Sequence, residues 1–167
     1  MKRQKEIETE FLSVLETNMG SLIKIVTVYA YTVQDKEDLM NDIIFELWKS
    51  YPKFHGNSKI STWLFRVALN VSLKTKRRAS YNKITFVEDI RTVANGSIFE
   101  MTNDHTSDIE AMYECISRLN EINRAIILLY LEDKSNDDIA AITGISRTNV
   151  STRLNRIREE LKKQMNQ

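Results

Sequence analysis

The chain has 167 residues, a net charge of +1, 42% apolar residues, four glycines and one proline. This length fits one ordinary domain or two small ones, and the scarcity of turn-forming residues argues against sandwiches and barrels and favours long helices. A single cysteine and two histidines far apart exclude a disulfide framework, a zinc ribbon and a histidine-rich metal centre, so we expect no metal and no cofactor.

The amino-terminal ten residues are polar and mixed in charge, unlike a signal peptide. The longest purely apolar run, Ala125–Leu131, is much shorter than the roughly 20 residues of a membrane-spanning helix. We therefore expect a soluble, cytoplasmic protein with no direct membrane insertion.

Local charge divides the chain into three segments. Residues 1–80 carry a net charge of +4, residues 81–110 a net charge of −4, and residues 111–167 a net charge of +1. The acidic segment contains turn signals such as Asn95-Gly96-Ser97 and no sustained apolar period. We predict an all-α fold of two small helical domains joined by a flexible acidic linker. The predicted domains are 5–80 and 107–167, and the predicted linker is 81–106.

Apolar periodicity predicts four helices in the first domain. The first two are about Lys5–Asn18 and Ser21–Thr32. The third begins with Asp35 as its N-cap and ends before Pro52, which cannot continue a helix. The fourth is about Ser61–Arg78. Its predicted inner stripe is Ile60, Trp63, Leu64, Val67, Ala68 and Val71.

The third helix starts with an acidic rim that we call the acidic face. Such a rim suits docking against a basic or polar protein surface, but dipole compensation at the helix start would explain its first carboxylates without any partner. Compensation of the helix dipole explains the positions of Asp42 and the outward Phe45 least well. The predicted docking residues are Asp35, Glu37, Asp38, Asn41, Asp42 and Phe45.

A polar and basic stripe follows four-residue steps along the fourth helix, and a loop with an aromatic residue among short polar groups precedes it. Residues 59–83 hold seven basic and no acidic side chains. The loop can stack on an exposed base, and the stripe can follow a nucleic-acid backbone. A solvated helix face with a core aromatic is the alternative. The stripe is Thr62, Arg66, Asn70 and Lys74, and the loop is Phe54, His55, Gly56, Asn57 and Ser58.

Four helices are predicted in the second domain, and the last two form a helix-turn-helix pattern. Ala140 allows close approach of these two helices, and Gly144 permits the positive φ of the turn. The predicted helices are Ser107–Arg118, one from the Asn120 cap to Leu131, Asn136–Ile142 after a Ser135 and Asp138 capping box, and one after the Ser146 cap. The buried side of the last helix is predicted to be Val150, Leu154, Ile157 and Leu161.

The outward face of the last helix carries side chains of the types that read base edges and phosphates in the major groove. From Ser146 onwards there are six basic and two acidic residues. A generic helical hairpin with a solvated face is the alternative. The predicted reading residues are Arg147, Thr148, Ser151, Thr152, Asn155 and Arg156.

In this order, the three features resemble the sigma-70 family of bacterial transcription initiation factors, in its extracytoplasmic-function (ECF) group. Asp35–Trp48 resembles region 2.2, with Asn41 in place of the usual glutamine. Phe54–Asn70 resembles regions 2.3 and 2.4, with their Thr-Trp-Leu-x-Arg-Ile-Ala-x-Asn core. Leu119–Leu161 is similar to region 4. No region 3 domain fits between them, which is the ECF arrangement.

The resemblance implies a non-enzymatic factor that binds core RNA polymerase, with the acidic face on the β′ coiled coil and a further contact at the β flap. It implies that the loop captures a flipped base of the −10 element during melting, and that the last helix reads the −35 duplex, with Arg153 near phosphates. The acidic linker is expected to thread the basic RNA channel. An anti-sigma factor is a further implied partner, and no small-molecule substrate is implied.

Two other hypotheses stay open on the sequence. A stand-alone helix-turn-helix regulator that binds duplex DNA as a dimer shares the last two helices, but it does not explain the acidic face, the stripe and the loop together. A helical protein-interaction adaptor would show no promoter preference. An enzyme is least favoured, since no glycine-rich phosphate loop, clustered nucleophile or free carboxylate pair is present.

Overall fold

The computed structural model describes residues 2–81 and 107–166, with side chains described for 5–75 and 108–166. These residues form seven α-helices and contain no strand, which confirms the all-α prediction. The helices are α1 (Lys2–Tyr29), α2 (Val33–Ser50), α3 (Ile60–Tyr81), α4 (Ser107–Arg118), α5 (Glu121–Leu131), α6 (Asn136–Thr143) and α7 (Arg147–Met165), with a 3₁₀ turn at Tyr51–Lys53. Helices α1–α3 form the first domain and α4–α7 the second. The predicted linker lies outside the described residues.

The amino-terminal segment is one helix of 28 residues, so the prediction of two helices separated near Gly20 is wrong. A lone glycine lowers helix stability by only about 1 kcal/mol relative to alanine. Phe11 and Leu15 before it, and Leu22 and Ile25 after it, are all buried. Burial on both sides of Gly20 outweighs its low propensity, and the helix continues.

Helix α2 begins earlier than predicted. Its N-cap is Thr32, whose hydroxyl accepts a hydrogen bond from the backbone N–H of Asp35 at 3.0 Å. Asp35 is therefore not the cap but a first-turn residue, where its carboxylate still suits the helix dipole. The helix ends at Ser50, and Pro52 follows in the 3₁₀ turn, as predicted.

The inner side of α3 is rotated from the predicted stripe. Leu64 and Ala68 are fully buried as predicted, but Phe65 and Leu69 are buried as well. The other four predicted members are only half-buried: Ile60, Trp63, Val67 and Val71. The inner side is broader than one stripe because α3 packs against α1 and α2 and also against the second domain.

Three N-caps fix the helices of the second domain. Asn120, Ser135 and Ser146 each accept a hydrogen bond from the backbone N–H three residues further on. Gly144 ends α6 in the left-handed conformation, with φ of 77°. All four residues predicted for the inner side of α7 are buried. The helix-turn-helix prediction is confirmed.

The two domains pack against each other, with α1 on α4 and α5 and with α3 on α5 and α6. The turn between α5 and α6 makes polar contacts to both α1 and α3 of the first domain. The Glu132 carboxylate accepts hydrogen bonds from the Ser21 hydroxyl and the Lys24 ammonium. The Lys134 ammonium donates to the Ser61 hydroxyl at 2.7 Å. The hydrogen bond to Glu132 raises the pKa of Lys24 above its usual 10.5, so this contact persists below pH 10.5 and is lost as pH rises through the raised value.

Tyr29 of α1 makes a second contact between the domains. Its hydroxyl donates to the backbone carbonyl of Glu121 at 3.1 Å, and the Arg124 guanidinium carbon lies 5.6 Å from its ring centroid. Burial raises the pKa of Tyr29 above the usual 10, so the hydroxyl stays protonated and remains a donor. Arg124 is itself buried and donates to the carbonyl of Leu119.

One stretch of α1, Lys5–Tyr29, is long and apolar enough to cross a membrane by length and composition alone. Core helices of soluble proteins pass the same test. Here Leu22, Ile25, Val26 and Val28 are fully buried within the protein. The part of α1 that follows Gly20 therefore belongs to the core.

Substitution by alanine should change the free energy of unfolding in opposite directions at Gly144 and Gly20. Gly144→Ala puts a Cβ at φ of 77°, and the left-handed region costs about 1–2 kcal/mol for a residue with a side chain. The free energy of unfolding should fall by about that much. Gly20→Ala lies inside α1 with no atom within 4 Å of the new Cβ, and it should raise the free energy of unfolding by up to about 1 kcal/mol. Urea unfolding followed by circular dichroism measures both. Shifts of the same sign would contradict the helix and turn assignments.

Candidate functional site

The acidic face lies on α2 and is almost fully exposed. Asp35, Asp38, Asn41 and Asp42 are exposed, and only Glu37 is half-buried. Asp38 accepts a hydrogen bond from the Gln34 amide at 3.0 Å. Among the side chains that the structure describes, no cation pairs with these carboxylates. Within the described residues, the face is therefore an exposed negative surface without an ion-pair partner.

An apolar groove of about 520 Å³ borders the acidic face where α1 packs on α2. Phe45 is 64% exposed and Leu12 is 57% exposed, and both line it. Large apolar side chains that stay exposed together mark interaction sites. Sequence reasoning found only Asn41 and Phe45 of this lining, because the rest depends on the packing of two helices. The full lining is Glu8, Phe11, Leu12, Asn41, Ile44, Phe45 and Trp48.

The loop before α3 places Phe54 at the edge of an aromatic cluster. Its ring centroid lies 5.1 Å from that of Trp63, and Trp63 in turn lies 6.2 Å from Tyr51. Phe54 is half-buried, so it packs on the core with one part and presents another part to solvent. The packing on Trp63 agrees with the interpretation of Phe54 as a core aromatic, and base stacking by its exposed part stays a prediction. The other loop residues are exposed or half-buried: His55, Gly56, Asn57 and Ser58.

Three of the four stripe residues on α3 are exposed: Arg66, Asn70 and Lys74. Thr62 is only 5% exposed, so the prediction that it faces outward is wrong. A four-residue step advances a helix by about 400°, so the stripe drifts by about 40° per step and by about 120° over its length. Its amino-terminal end turns inward at the place where Lys134 of the second domain contacts the neighbouring Ser61.

The outward face of α7 has two kinds of residue. Arg147, Thr148, Thr152, Asn155 and Arg156 are exposed and free to meet a ligand. The exposed guanidinium of Arg147 lies 3.6 Å from the Asp137 carboxylate, a distance at which a surface pair contributes little.

Ser151 and Arg153 are half-buried and already engaged. The Asn136 amide donates to the Ser151 hydroxyl at 2.9 Å. Arg153 donates to the Asn123 and Asn149 side-chain oxygens, both at 3.0 Å. These contacts fix α7 against α5 and α6. They were not predicted: the pattern placed Ser151 on the outward side, and the partners Asn136 and Asn123 lie on other helices that the spacing of α7 does not define.

The start of α6 is fixed by Ser135 and Asp138. The Ser135 hydroxyl caps the helix and donates to the Asp138 carboxylate at 2.8 Å. This hydrogen bond lowers the pKa of Asp138 below its usual 3.8.

The described residues contain no group of three or more side chains suited to hold a metal ion.

Two family models match the chain. Sigma-70 region 2 matches residues 14–81, which include the acidic face, the loop and the stripe. Sigma-70, region 4 matches residues 109–161, which include the helix-turn-helix. Together they cover well over half of the sequence. The chain belongs to the sigma-70 family.

Curated relatives place this sigma factor in the ECF group. It is 28% identical over 145 residues to the ECF RNA polymerase sigma factor SigW of Bacillus subtilis (strain 168), over 80% of this chain and 76% of SigW. It is 24% identical over 173 residues to the RNA polymerase sigma factor YlaC of the same strain, over 99% of this chain and 95% of YlaC. It is 25% identical over 137 residues to the ECF RNA polymerase sigma-E factor of Escherichia coli (strain K12), over 76% of this chain and 72% of that protein.

Solved structures share the fold. The sigma factor RpoE from Bartonella quintana, in complex with the anti-sigma factor NepR, has a TM-score of 0.73 at 21% identity, over 97% of this chain and 98% of that chain. CnrH, in complex with the cytosolic domain of CnrY, has a TM-score of 0.67 at 18% identity, over 95% and 89% of the two chains. The fold therefore matches over nearly the full length.

Proposed function

We propose that this ECF sigma factor binds core RNA polymerase and directs promoter recognition, −10 melting and transcription initiation in the cytoplasm, without a catalytic role of its own. One observation carries the proposal: a single chain combines the unpaired acidic face, the aromatic loop with its stripe, and a capped helix-turn-helix. We assign residues 5–80 to polymerase and −10 binding, 107–167 to −35 binding, and 81–106 to the acidic linker.

The acidic face and the apolar groove form one continuous docking surface for polymerase. The face supplies unpaired carboxylates, and the groove supplies Leu12 and Phe45 as exposed apolar anchors beside them. A charged rim beside an apolar centre is the usual anatomy of a protein interface. We propose that this surface meets the β′ coiled coil and that the second domain meets the β flap. We propose an anti-sigma factor as a further partner, as for the sigma factor RpoE from Bartonella quintana with its anti-sigma factor NepR.

The loop and the stripe suit single-stranded DNA. The exposed part of Phe54 offers a ring to a flipped base, and the polar loop residues offer hydrogen bonds to its edge. Asn70 lies on the exposed side of α3, with Arg66 and Lys74 one turn away on each side to neutralise phosphates. Thr62 is only 5% exposed, which leaves little surface for such a contact.

The exposed side of α7 suits the −35 duplex. Thr148, Thr152, Asn155 and Arg156 lie on successive turns of one exposed face, at the groove-facing positions of a recognition helix. Ser151 and Arg153 contact other helices, and we propose that they position this face as well as meeting the DNA backbone.

The alternatives make different predictions for one experiment, transcription in vitro with core polymerase on a promoter library. A sigma factor selects both a −10 and a −35 element. A stand-alone regulator binds its site equally well without polymerase, and an adaptor selects no sequence. The region 2 match and the ECF relatives do not favour the stand-alone regulator.

Reversing charge on the acidic face should weaken polymerase binding. Asp38→Lys with Asp42→Lys should weaken association with core polymerase by about tenfold or more, because like charges then meet across the interface. The fold should be unaffected, since exposed charges contribute little to stability. Glu10→Lys with Glu16→Lys, on exposed positions of α1, is the matched control. Unchanged affinity of the first variant, with native circular dichroism, would remove the acidic face from the interface.

Truncating the −10 pocket should impair promoter opening. Phe54→Ala should cost about 1–3 kcal/mol of open-complex stability, the value of one base stack, and Asn70→Ala should act in the same direction. A pre-melted template should rescue only part of the loss, because unstacking is then complete but the pocket contacts are missing. Thr75→Ala, exposed on another side of α3, is the control. Full activity of both variants on closed promoters would show that the pocket lies elsewhere.

On α7, substitution of Arg156 should change promoter preference, whereas substitution of Lys162 should change only the overall affinity for DNA. Arg156→Ala should cost about 1–3 kcal/mol and relax preference at one or two −35 positions. Lys162→Ala should weaken binding evenly across sequences and lower the salt slope by about one unit, as for a phosphate contact. Promoter-library transcription at two salt concentrations measures both. A uniform loss for Arg156→Ala would make Arg156 a backbone contact instead.

A further inference from the structure

We propose that Asn136, at the start of α6, is a positioning residue for −35 recognition, because it decides which hydrogen-bonding group Ser151 of α7 presents to the major groove. The proposal rests on the proposed function, in which the exposed side of α7 meets the −35 duplex. It adds a base-edge contact by Ser151 to the backbone contact proposed above.

The start of α6 is fixed within the protein itself. The Ser135 hydroxyl accepts a hydrogen bond from the backbone N–H of Asp138 at 3.1 Å and donates one to the Asp138 carboxylate at 2.8 Å. Asn136 is the first helical residue after this cap. Because a capped first turn holds the backbone of Asn136 in one place, its side-chain amide reaches a defined part of α7.

The Asn136 amide contacts one edge of α7. Its Nδ2 donates to the Ser151 hydroxyl oxygen at 2.9 Å, and both side chains are half-buried. Partial burial shields this hydrogen bond from water and strengthens it. The next residue, Asp137, lies 3.6 Å from the guanidinium of Arg147. Since Arg147 and Ser151 are four residues apart, they share one edge of α7, and the first turn of α6 lies along it.

The hydrogen bond from Asn136 gives the Ser151 hydroxyl a defined polarity. A serine hydroxyl has one hydrogen to donate and two lone pairs with which to accept. The Asn136 amide occupies one of these lone pairs. The hydroxyl hydrogen then points away from the amide hydrogen, because the two hydrogens repel each other. Ser151 therefore offers a hydrogen-bond donor to a ligand.

A donor at this position distinguishes bases by their major-groove edges. Guanine O6 and thymine O4 accept hydrogen bonds, whereas the amino groups at cytosine N4 and adenine N6 donate them. A hydroxyl that donates favours guanine or thymine on the strand that it meets, and a hydroxyl that accepts favours cytosine or adenine. We therefore expect Ser151 to select guanine or thymine at one position of the −35 element.

The decisive variant inverts the polarity of residue 136 and keeps its shape. In Asn136→Asp the carboxylate can only accept, so Ser151 donates to it and turns its lone pairs towards the groove. Promoter-library transcription with the full chain and core polymerase measures the result. Preference at one −35 position should move from guanine or thymine to adenine or cytosine by about twofold to tenfold, the value of one hydrogen bond. Preference at the −10 element should be unchanged.

Three further variants separate polarity from charge. Asn136→Asp with Asp137→Asn keeps the net charge of this turn and should show the same shift in preference. Asn136→Ala leaves the Ser151 hydroxyl free to rotate, so it should relax the preference at that position without inverting it. Asp137→Asn alone is the matched control and should alter overall affinity but not base preference. Circular dichroism checks the fold, which Asn136→Asp should retain because a first-turn carboxylate suits the helix dipole.

Ser151→Ala tests whether Asn136 acts through Ser151. This variant should lose the preference at that position, and adding Asn136→Asp to it should change no preference. A shift that persists without the hydroxyl would overturn the proposal, because Asn136 would then meet DNA itself.

Other results would also decide against the proposal. A preference for adenine or cytosine in the unaltered chain would contradict the polarity of Ser151, and so would an unchanged −35 preference in Asn136→Asp. In both cases promoter selection itself persists, and the proposed function stands. If the unaltered chain selects neither a −10 nor a −35 element with polymerase, the proposed function fails and this inference fails with it.

Discussion

Burial of α1 on several sides is the constraint on which the rest of the structure depends. Leu22, Ile25, Val26 and Val28 are fully buried, and these positions extend around more of the helix than one neighbour can cover. Helices α2 and α3 pack on one part and α4 and α5 on another. Each such side chain contributes about 1.5–3 kcal/mol when it leaves water. The same helix therefore completes the first domain, supports the second, and forms one wall of the groove beside the acidic face.

Local signals allowed much of the second domain to be predicted. The caps at Asn120, Ser135 and Ser146 and the left-handed Gly144 each depend on a few adjacent residues, so the sequence alone determines them. The inner side of α7 follows from its spacing. Continuity of α1 through Gly20 could not be predicted in this way, because it depends on buried contacts with other helices. The burial of Thr62 and the groove depend on packing between helices that are distant in sequence.

The candidate site likewise contains residues whose exposure could be predicted from the sequence and residues whose contacts could not. Exposure of Asp42, Phe45, Asn70 and Arg156 agrees with the sequence pattern. The contact of Arg153 does not follow from that pattern, because its partner Asn123 lies 30 residues away on another helix. A helical wheel assigns a residue to a face but not to a partner. The polar contacts of Ser151 and Arg153 hold α7 against α6 and α5.

The anchoring of α7 also bears on how such factors diversify. One cap and four buried side chains fix the start and rotation of this helix, so its exposed residues have little part in folding. Exposed substitutions of this kind change stability by only about 0.5 kcal/mol or less. Under the proposed assignment of this face to the −35 duplex, descendants of a duplicated gene can therefore exchange residues such as Thr152 and Asn155 and acquire new target promoters while the fold is inherited unchanged. On that assignment, the exposed side of one helix is a surface on which separate regulons can evolve.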